Sequence, residues 1–247
     1  MIQRLRNERV VHLTFEATPV NVLDAAILRK LVEGLAELAS DDSLAAVVLS
    51  GDGRCFSAGA SVAEHKQEQA DEMLSALSDA CLALTAFPAP VIATVHGACL
   101  GGAMELVSFC DFVVADPGAI FGQSEIKLAF FPPVALHQLL RLTGYQNAAY
   151  TILSGENLPA ERALSMGLVQ KILPRDEWEE IDSLFNGLSA PVLRITKQAL
   201  ARSVSEGCAE KLDAFKAVFM AELYRLEDVT EGIASFEERR PPKWKHR

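Results

Sequence analysis

The sequence predicts an α/β fold followed by a helical C-terminal region, and three observations lead to that prediction. Short apolar runs alternate with amphipathic segments over residues 1–189, which is the pattern of an α/β domain. From residue 190 onward the sequence has helical periodicity almost throughout. The 247 residues, 50% of them hydrophobic, suffice for one large core with a smaller appendage. We therefore expect a core over residues 1–189 and a helical region over residues 190–247.

The periodicity of the apolar residues and the local composition predict the individual strands and helices. The segments predicted as strands are residues 10–15, 45–50, 91–95, 112–115 and 168–172. The segments predicted as helices are residues 24–40, 70–85, 146–153, 160–166, 177–188, 192–202 and 208–226. The last of these has an apolar stripe wide enough for more than one partner surface, so it either folds back on the core or builds an oligomer.

Charge and cysteine usage exclude several classes of protein. The net charge of -10 argues against nucleic-acid binding and against attraction to anionic membranes. Five cysteines without CxxC spacing predict neither a disulfide framework nor a metal site. The N-terminus does not resemble a signal peptide, and no apolar run reaches the roughly 20 residues that a membrane span needs. We expect a cytoplasmic protein with reduced thiols.

Two glycine-rich segments predict an oxyanion site. A buried strand runs through Gly97 into Gly101 and Gly102, and the helix that follows carries a single carboxylate, Glu105. Glycines let bare backbone approach a ligand, and a helix start leaves N–H groups unpaired. Residues 55–60 have the same build after another buried strand. Two facing N–H donors indicate a polarised carbonyl.

Four segments in order resemble the enoyl-CoA hydratase/isomerase (crotonase) superfamily over essentially the whole chain. They read CFSAGASV, HGACLGGAMELVSFCD, FGQSEIKL and LSGENLPAERALSMGLVQKILP. The resemblance implies a spiral of ββα turns followed by C-terminal helices that assemble trimers, usually paired into hexamers. It also implies an acyl-CoA substrate, with coenzyme A present only as part of that substrate and no tightly bound cofactor.

The resemblance also assigns roles within the site. The backbone N–H groups of Ala60 and Gly102 become the oxyanion donors, and Glu105 and Glu125 become the two acids of a hydratase. We assign Glu105 to water activation and Glu125 to proton donation, since hydration of an enoyl thioester needs both acts. The alternatives are that Glu105 only stabilises a helix N-terminus and that Glu125 only forms a salt bridge with Lys127 or another cation.

Further residues are expected around the acyl group and the coenzyme. Residues 129–135 replace the glycine-rich turn of many hydratases, and Phe130, Phe131 and Pro133 are expected to form a stiff, bulky pocket wall. This pattern resembles the branch that hydrates cyclohexa-1,5-diene-1-carbonyl-CoA, although the same wall would also enclose a medium acyl chain. We expect His65 to be an exposed histidine at a helix start and leave it out of the catalytic residues, with contact to substrate or water as the alternative.

The resemblance places the coenzyme over the loop at residues 57–62, with basic and aromatic contacts from the C-terminus. The expected coenzyme contacts are Ser57, Ala58, Ser61 and Val62 in the loop and, from the C-terminus, Phe236, Lys243 and Trp244. An exposed, solubilising tail is an equal alternative for the last two.

The predicted function is therefore the hydration of an enoyl-CoA, with an alicyclic dienoyl-CoA as the preferred substrate. One alternative is an isomerase or another crotonase-type enzyme, in which a single carboxylate moves a proton and water is excluded. A second is a non-catalytic acyl-CoA-binding relative.

Overall fold

A six-stranded, mostly parallel sheet forms the centre of the computed structural model, which describes residues 2–17 and 19–246. The described strands are β1 (Ile2–Asn7), β2 (Val10–Phe15), β3 (Ala46–Gly51), β4 (Val91–Val95), β5 (Ala98–Leu100), β6 (Phe112–Ala115), β7 (Ile120–Gly122), β8 (Leu158–Pro159) and β9 (Lys171–Ile172). The order in the sheet is β1-β2-β3-β4-β6-β9, and only the β1–β2 pair is antiparallel. All five residues of β4 are buried, because helices or loops cover both faces of a parallel strand.

Helices connect and cover the strands. They are α1 (Ala25–Leu38), α2 (Gln67–Ala86), α3 (Gly102–Val107), α4 (Ala135–Thr143), α5 (Tyr145–Ser154), α6 (Ala160–Ser165), α7 (Glu179–Ser183), α8 (Ala190–Ser205), α9 (Cys208–Glu222) and α10 (Glu227–Glu237). Asp24 caps α1 by accepting a hydrogen bond from the Ile27 N–H at 2.7 Å. The main core lies between the sheet and helices α1, α2 and α3.

A second sheet, ordered β5-β7-β8, begins where β4 ends. Gly97 joins the two sheets with a φ of +54°, and a Cβ at this position would lie 2.5 Å from the carbonyl oxygen of Arg54. Only glycine fits this turn without displacing the neighbouring backbone. The turn carries the chain from the end of β4 through β5 to α3, which is the segment that holds the site.

Most predicted elements are present, and three of them, β9, α7 and α9, are shorter than predicted. Strand β9 is shorter than the predicted 168–172, because the N–H groups of Leu168 and Val169 instead bond to the carbonyl of Ala163 in a turn that ends α6. The predicted helix 177–188 is only α7, because the chain beyond it makes short i to i+3 hydrogen bonds and reaches Gly187 at a φ of +75°. The strands β1, β5, β7 and β8 and the helices α4 and α10 were not predicted.

The C-terminal helices fold back on the core of the same chain. Helix α9 packs against α2, and α10 packs against the 3₁₀ helix Glu125–Leu128. The α10 contact is close, since a Cβ at Gly232 would lie 2.1 Å from the carbonyl oxygen of Leu128. Helix α9 is shorter than the predicted 208–226, because its last turn tightens into the 3₁₀ segment Leu223–Arg225. The fold thus places α9 and α10 beside the segment that carries Glu125.

Candidate active site

The backbone at Ala60 and Gly102 forms one wall of a cavity, and the two residues are in close contact. A Cβ at Gly102 would lie 3.1 Å from the Cβ of Ala60 and 3.4 Å from its backbone nitrogen. Neither N–H donates a hydrogen bond within residues 2–17 and 19–246. Because Gly102 is the first residue of α3, its N–H has no partner inside the helix. The structure brings together the two donors that the sequence predicted.

Backbone hydrogen bonds between the loop at residues 57–62 and strand β5 hold Ala60 and Gly102 close together. The Ser57 N–H donates to the Ala98 carbonyl at 3.0 Å, and the Leu100 N–H donates to the Ser57 carbonyl at 3.2 Å. Gly59 then packs so tightly that a Cβ on it would lie 2.7 Å from the Leu100 carbonyl oxygen, and its φ is +108°. Only glycine accommodates that conformation and that contact.

Glu105 lies in α3 with a side chain that is almost fully buried, with 3% of the residue exposed. Its Oε1 accepts a hydrogen bond from the Ala135 N–H, at the start of α4, at 2.8 Å. Burial raises the pKa of Glu105 to about 7, although the backbone N–H groups of Ala135 and Val134 offset part of that effect. The alternative of a surface helix-stabilising carboxylate is inconsistent with this burial.

Glu125 begins the 3₁₀ helix that follows β7, and its carboxyl lies against the glycine turn before α3. A Cβ at Gly101, whose φ is +52°, would lie 2.8 Å from Glu125 Oε1. Burial, and then the charge of Glu105, raise the pKa of Glu125 well above its ordinary value. Among the described residues Glu125 forms no ion pair with Lys127.

Gln123 supports Glu125 and was not singled out from the sequence. Its side chain is buried, and with the amide nitrogen toward the carboxyl it donates to Glu125 Oε1 at 3.1 Å and to Oε2 at 3.0 Å. Both residues belong to the quoted FGQSEIKL segment. The only available signal was their spacing of two, which puts them on either side of a turn and did not by itself predict a contact.

Both carboxyls and both backbone donors line one cavity of about 390 Å³. Most of its remaining wall is apolar, and Phe131 and Pro133 contribute to it as predicted. Phe130 does not line the cavity. It lies behind the wall, where its ring stacks on Phe219 at a centroid distance of 5.3 Å. Phe219 and Phe236, from α9 and α10, also line the cavity. The sequence did not indicate Phe219, and it indicated Phe236 only as a coenzyme contact.

Of the four coenzyme contacts predicted in the loop at residues 57–62, three line the cavity and one does not. Ala58, Ser61 and Val62 line the cavity. Ser57 is fully buried beneath the loop and accepts a hydrogen bond from the Gly59 N–H at 3.0 Å. Ser57 therefore shapes the loop and does not face the cavity.

Two of the predicted contacts at the C-terminus, Lys243 and Trp244, lie elsewhere. Neither residue lines the main cavity. The Lys243 N–H donates to Glu231 Oε1 at 2.6 Å, and Arg240 forms an ion pair with the same carboxylate at 2.5 Å. The acidic residues of α10 therefore neutralise part of the basic tail.

His65 lies in the site, contrary to its predicted exposure. It ends the 3₁₀ helix Val62–His65, lines the cavity and packs its ring on Phe130 at a centroid distance of 5.1 Å. The prediction failed because Phe130 is 65 residues further along the chain, and nothing in the local pattern indicates that contact.

The structure also bears on metal binding and on insertion into a membrane. Across residues 2–17 and 19–246, no cluster of three or more histidine, cysteine or acidic side chains has a metal-binding arrangement. Within the same residues, no helix combines the length and the apolar character that crossing a bilayer would require.

Comparison with known proteins places this geometry in a family. A sequence profile described as enoyl-CoA hydratase/isomerase matches residues 6–247. The chain is 30% identical over 245 residues to a cyclohexa-1,5-dienecarbonyl-CoA hydratase of Thauera aromatica, covering 98% of this chain and 95% of that protein. It is 34% identical to a 2,3-dehydroadipyl-CoA hydratase of Escherichia coli strain K12, with coverage of 98% and 97%.

A solved structure shows the same fold. The crystal structure of an enoyl-CoA hydratase from Mycobacterium avium subsp. paratuberculosis K-10 superimposes with a TM-score of 0.87 at 26% identity, covering 99% of this chain and 98% of that one. The match spans both the sheet core and the C-terminal helices. The chain therefore belongs to the enoyl-CoA hydratase/isomerase family of enzymes.

Proposed function

We propose that the protein adds water across the α,β double bond of an acyl-CoA thioester. The observation that carries the proposal is the convergence of the unpaired N–H groups of Ala60 and Gly102 with the carboxyls of Glu105 and Glu125 on one cavity. Paired N–H donors suit the oxygen of a thioester carbonyl that gains negative charge. Two carboxyls with raised pKa values suit proton transfer near neutral pH.

The charges assign one carboxyl to each proton transfer. Glu105, with a pKa of about 7, is ionised in about half of the molecules at neutral pH, and in that form it removes a proton from water. The resulting hydroxide bonds to Cβ as the electron pair of the double bond moves toward the carbonyl oxygen. Glu125, whose pKa is raised further by the charge of Glu105, keeps its proton and donates it to Cα.

The step balances. One water molecule is consumed, a C–O bond and a C–H bond form, and the double bond is lost. Glu105 ends with a proton and Glu125 without one, so one proton must return from Glu105 to Glu125 through solvent before the next turnover. The Ala60 and Gly102 donors hold the enolate oxygen between the two proton transfers, and one such donor is typically worth about 10²- to 10³-fold in rate.

Product analysis in H₂¹⁸O separates hydration from isomerisation. A hydratase places the label in a new hydroxyl on Cβ, and we expect that product from an enoyl-CoA such as crotonyl-CoA or a cyclic enoyl-CoA. A shifted double bond without label would establish the isomerase alternative. Binding of thioesters without turnover of any of them would establish a non-catalytic relative.

We further propose an alicyclic dienoyl-CoA, such as cyclohexa-1,5-diene-1-carbonyl-CoA, as the preferred substrate. Phe131, Pro133, Phe219 and Phe236 give the cavity rigid, flat surfaces that suit a ring. The relative from Thauera aromatica named as a hydratase of that thioester supports the choice. The test compares kcat/KM for the cyclic diene with that for crotonyl-CoA. A larger value for the linear substrate would contradict this part of the proposal.

The coenzyme and the assembly are proposed on separate grounds. Ala58, Ser61 and Val62 rim the cavity at the loop where the coenzyme would lie. Helix α8 exposes Val192 and Ile195, which lie three residues apart on one face, and we propose that this face joins subunits into a trimer, or into a hexamer made of two trimers. Light scattering of the wild type and of Ile195→Glu tests the assembly, and a monomeric wild type would contradict it.

A further inference from the structure

His65 places a hydrogen-bonding group in a part of the cavity wall that is otherwise apolar. Met73, Leu74 and Phe219 line the cavity with it, and its ring packs on Phe130 at 5.1 Å. Neither the backbone donors nor the two carboxyls require a histidine here, so the proposed hydration leaves this side chain without a role.

The hydrogen bonds of the ring determine which nitrogen carries the proton. His65 Nδ1 lies 2.8 Å from the carbonyl oxygen of Ser61. Because a carbonyl only accepts, Nδ1 must donate its hydrogen to it. Burial lowers the pKa of His65, so the ring is neutral near pH 7 and Nε2 holds a lone pair. Nε2 makes no hydrogen bond to the part of the chain that the structure describes.

The ring is also held in place, which makes Nε2 a preorganised acceptor. The Tyr224 hydroxyl donates to the backbone carbonyl of His65 at 2.5 Å. Phe130, which supports one side of the ring, is itself stacked on Phe219 with an angle of 9° between the ring planes. A histidine held at its backbone carbonyl, at Nδ1 and by its packing against Phe130 has little freedom to reorient its ring.

We propose that His65 is a specificity-determining residue whose Nε2 accepts a hydrogen bond from a hydroxyl on the acyl group, at a carbon remote from the thioester. When a bound ligand excludes water from the cavity, an acceptor without a donor is unfavourable, so ligands that supply a donor bind more tightly than ligands that do not. Of two acyl-CoA ligands with the same linear or cyclic skeleton, the hydroxylated one is therefore preferred. The inference rests on the proposed function only for the thioester nature of the ligand.

Saturated thioesters test the inference without any turnover. The matched pairs are butanoyl-CoA with 4-hydroxybutanoyl-CoA, and cyclohexanecarbonyl-CoA with its 3-hydroxy derivative. Calorimetry should show that the wild type binds the hydroxylated member of at least one pair about 3- to 10-fold more tightly, the usual effect of one hydrogen bond. Equal affinities within both pairs would overturn the proposal.

Two variants separate the roles of the two ring nitrogens. His65→Asn keeps a donor near the position of Nδ1, for the Ser61 carbonyl, and removes the acceptor at Nε2. His65→Gln places an amide oxygen near the position of Nε2. We expect His65→Asn to lose the preference for the hydroxylated ligand and His65→Gln to keep part of it, where the preference is the ratio of the two affinities measured with the same variant. A preference that survives in His65→Asn would also overturn the proposal.

This result is distinguishable from a failure of the proposed function. If the wild type prefers hydroxylated thioesters and hydrates no enoyl-CoA, the hydration proposal fails and the role of His65 stands. If it hydrates enoyl-CoA and binds both members of each pair equally, the role of His65 fails and hydration stands.

Discussion

Glu105 Oε1 accepts a hydrogen bond from the backbone N–H of Ala135 at 2.8 Å, across a separation of 30 residues. This bond fixes the carboxyl between α3 and the start of α4, at a position that lines the cavity. Burial nevertheless raises its pKa to about 7, so the group is held in place and still gains and loses a proton near neutral pH. A proton acceptor of this kind needs both properties.

The raised pKa values predict a bell-shaped dependence of kcat on pH. Activity should rise as Glu105 ionises around pH 7 and fall at higher pH, where Glu125 loses the proton that it must donate. Because the two groups interact, the two limbs report apparent pKa values of the pair. Stopped-assay rates from pH 5 to pH 10 provide the measurement. A profile that is flat between pH 6 and pH 8 would be inconsistent with the role given to Glu105.

The same pKa shift predicts a pH-dependent stability. A carboxyl whose folded pKa is raised stabilises the fold fully below its ordinary pKa of about 4.3 and loses that contribution as pH rises through the folded value. Glu105→Gln has no carboxyl at this position, so its stability does not fall with pH for this reason. Between pH 5 and pH 8 the free energy of unfolding of the wild type should therefore fall by about 2 kcal/mol more than that of Glu105→Gln, as measured by urea denaturation. If the free energies of unfolding of the two proteins changed in parallel with pH, the raised pKa of the buried Glu105 carboxyl would be contradicted.

Gly102→Ala tests the contact between the two backbone donors. The added Cβ would lie 3.1 Å from the Ala60 Cβ and 3.4 Å from the Ala60 nitrogen, so it should separate the donors and lower kcat/KM by at least about 10-fold. Gly34→Ala is the matched control, because a Cβ at Gly34 in α1 meets nothing within 4 Å. That variant should retain full activity. Equal rates in the two variants would contradict the paired donors.

Gln123→Leu tests the support of Glu125. Loss of the amide removes two hydrogen bonds, at 3.1 and 3.0 Å, that favour the ionised carboxyl. The pKa of Glu125 should rise further, so the alkaline limb of the pH profile moves up and kcat falls about 10-fold. Gln69→Leu, at an exposed position on α2, is the control. An unchanged alkaline limb in Gln123→Leu would show that the amide does not act on Glu125.

The sequence predicted the parts of the site that depend on local pattern. Strands β2, β4 and β6 have the predicted bounds, because their apolar runs end at clear turns. Gly101 and Gly102 indicated exposed backbone donors, since few other reasons place two glycines between a buried strand and a helix. The local pattern also singled out Glu105 and the segment at residues 55–60, whereas Glu125, the choice of Ala60 as a donor and the roles of the two acids came from the resemblance to a family.

The remainder of the site depends on packing between distant segments. Phe219 reaches the cavity from α9, which lies about 160 residues beyond Ala60 along the chain. His65 was predicted to be exposed because the residues that cover it, Phe130 and Tyr224, belong to other elements. Phe130 looked like a wall residue, but the neighbouring Phe131 occupies the wall and Phe130 supports it from behind. Local periodicity cannot distinguish two adjacent aromatic residues in a loop.

The most direct test of the central claim is the hydration rate of Glu105→Gln, Glu125→Gln and the double variant, measured on one enoyl-CoA thioester. If the two carboxyls act as one unit on a single substrate, each single variant should lose about 10²- to 10⁴-fold in kcat, and the double variant should lose little more than the more impaired single variant. Circular dichroism should show all three folded. A wild-type rate from either single variant would contradict the claim.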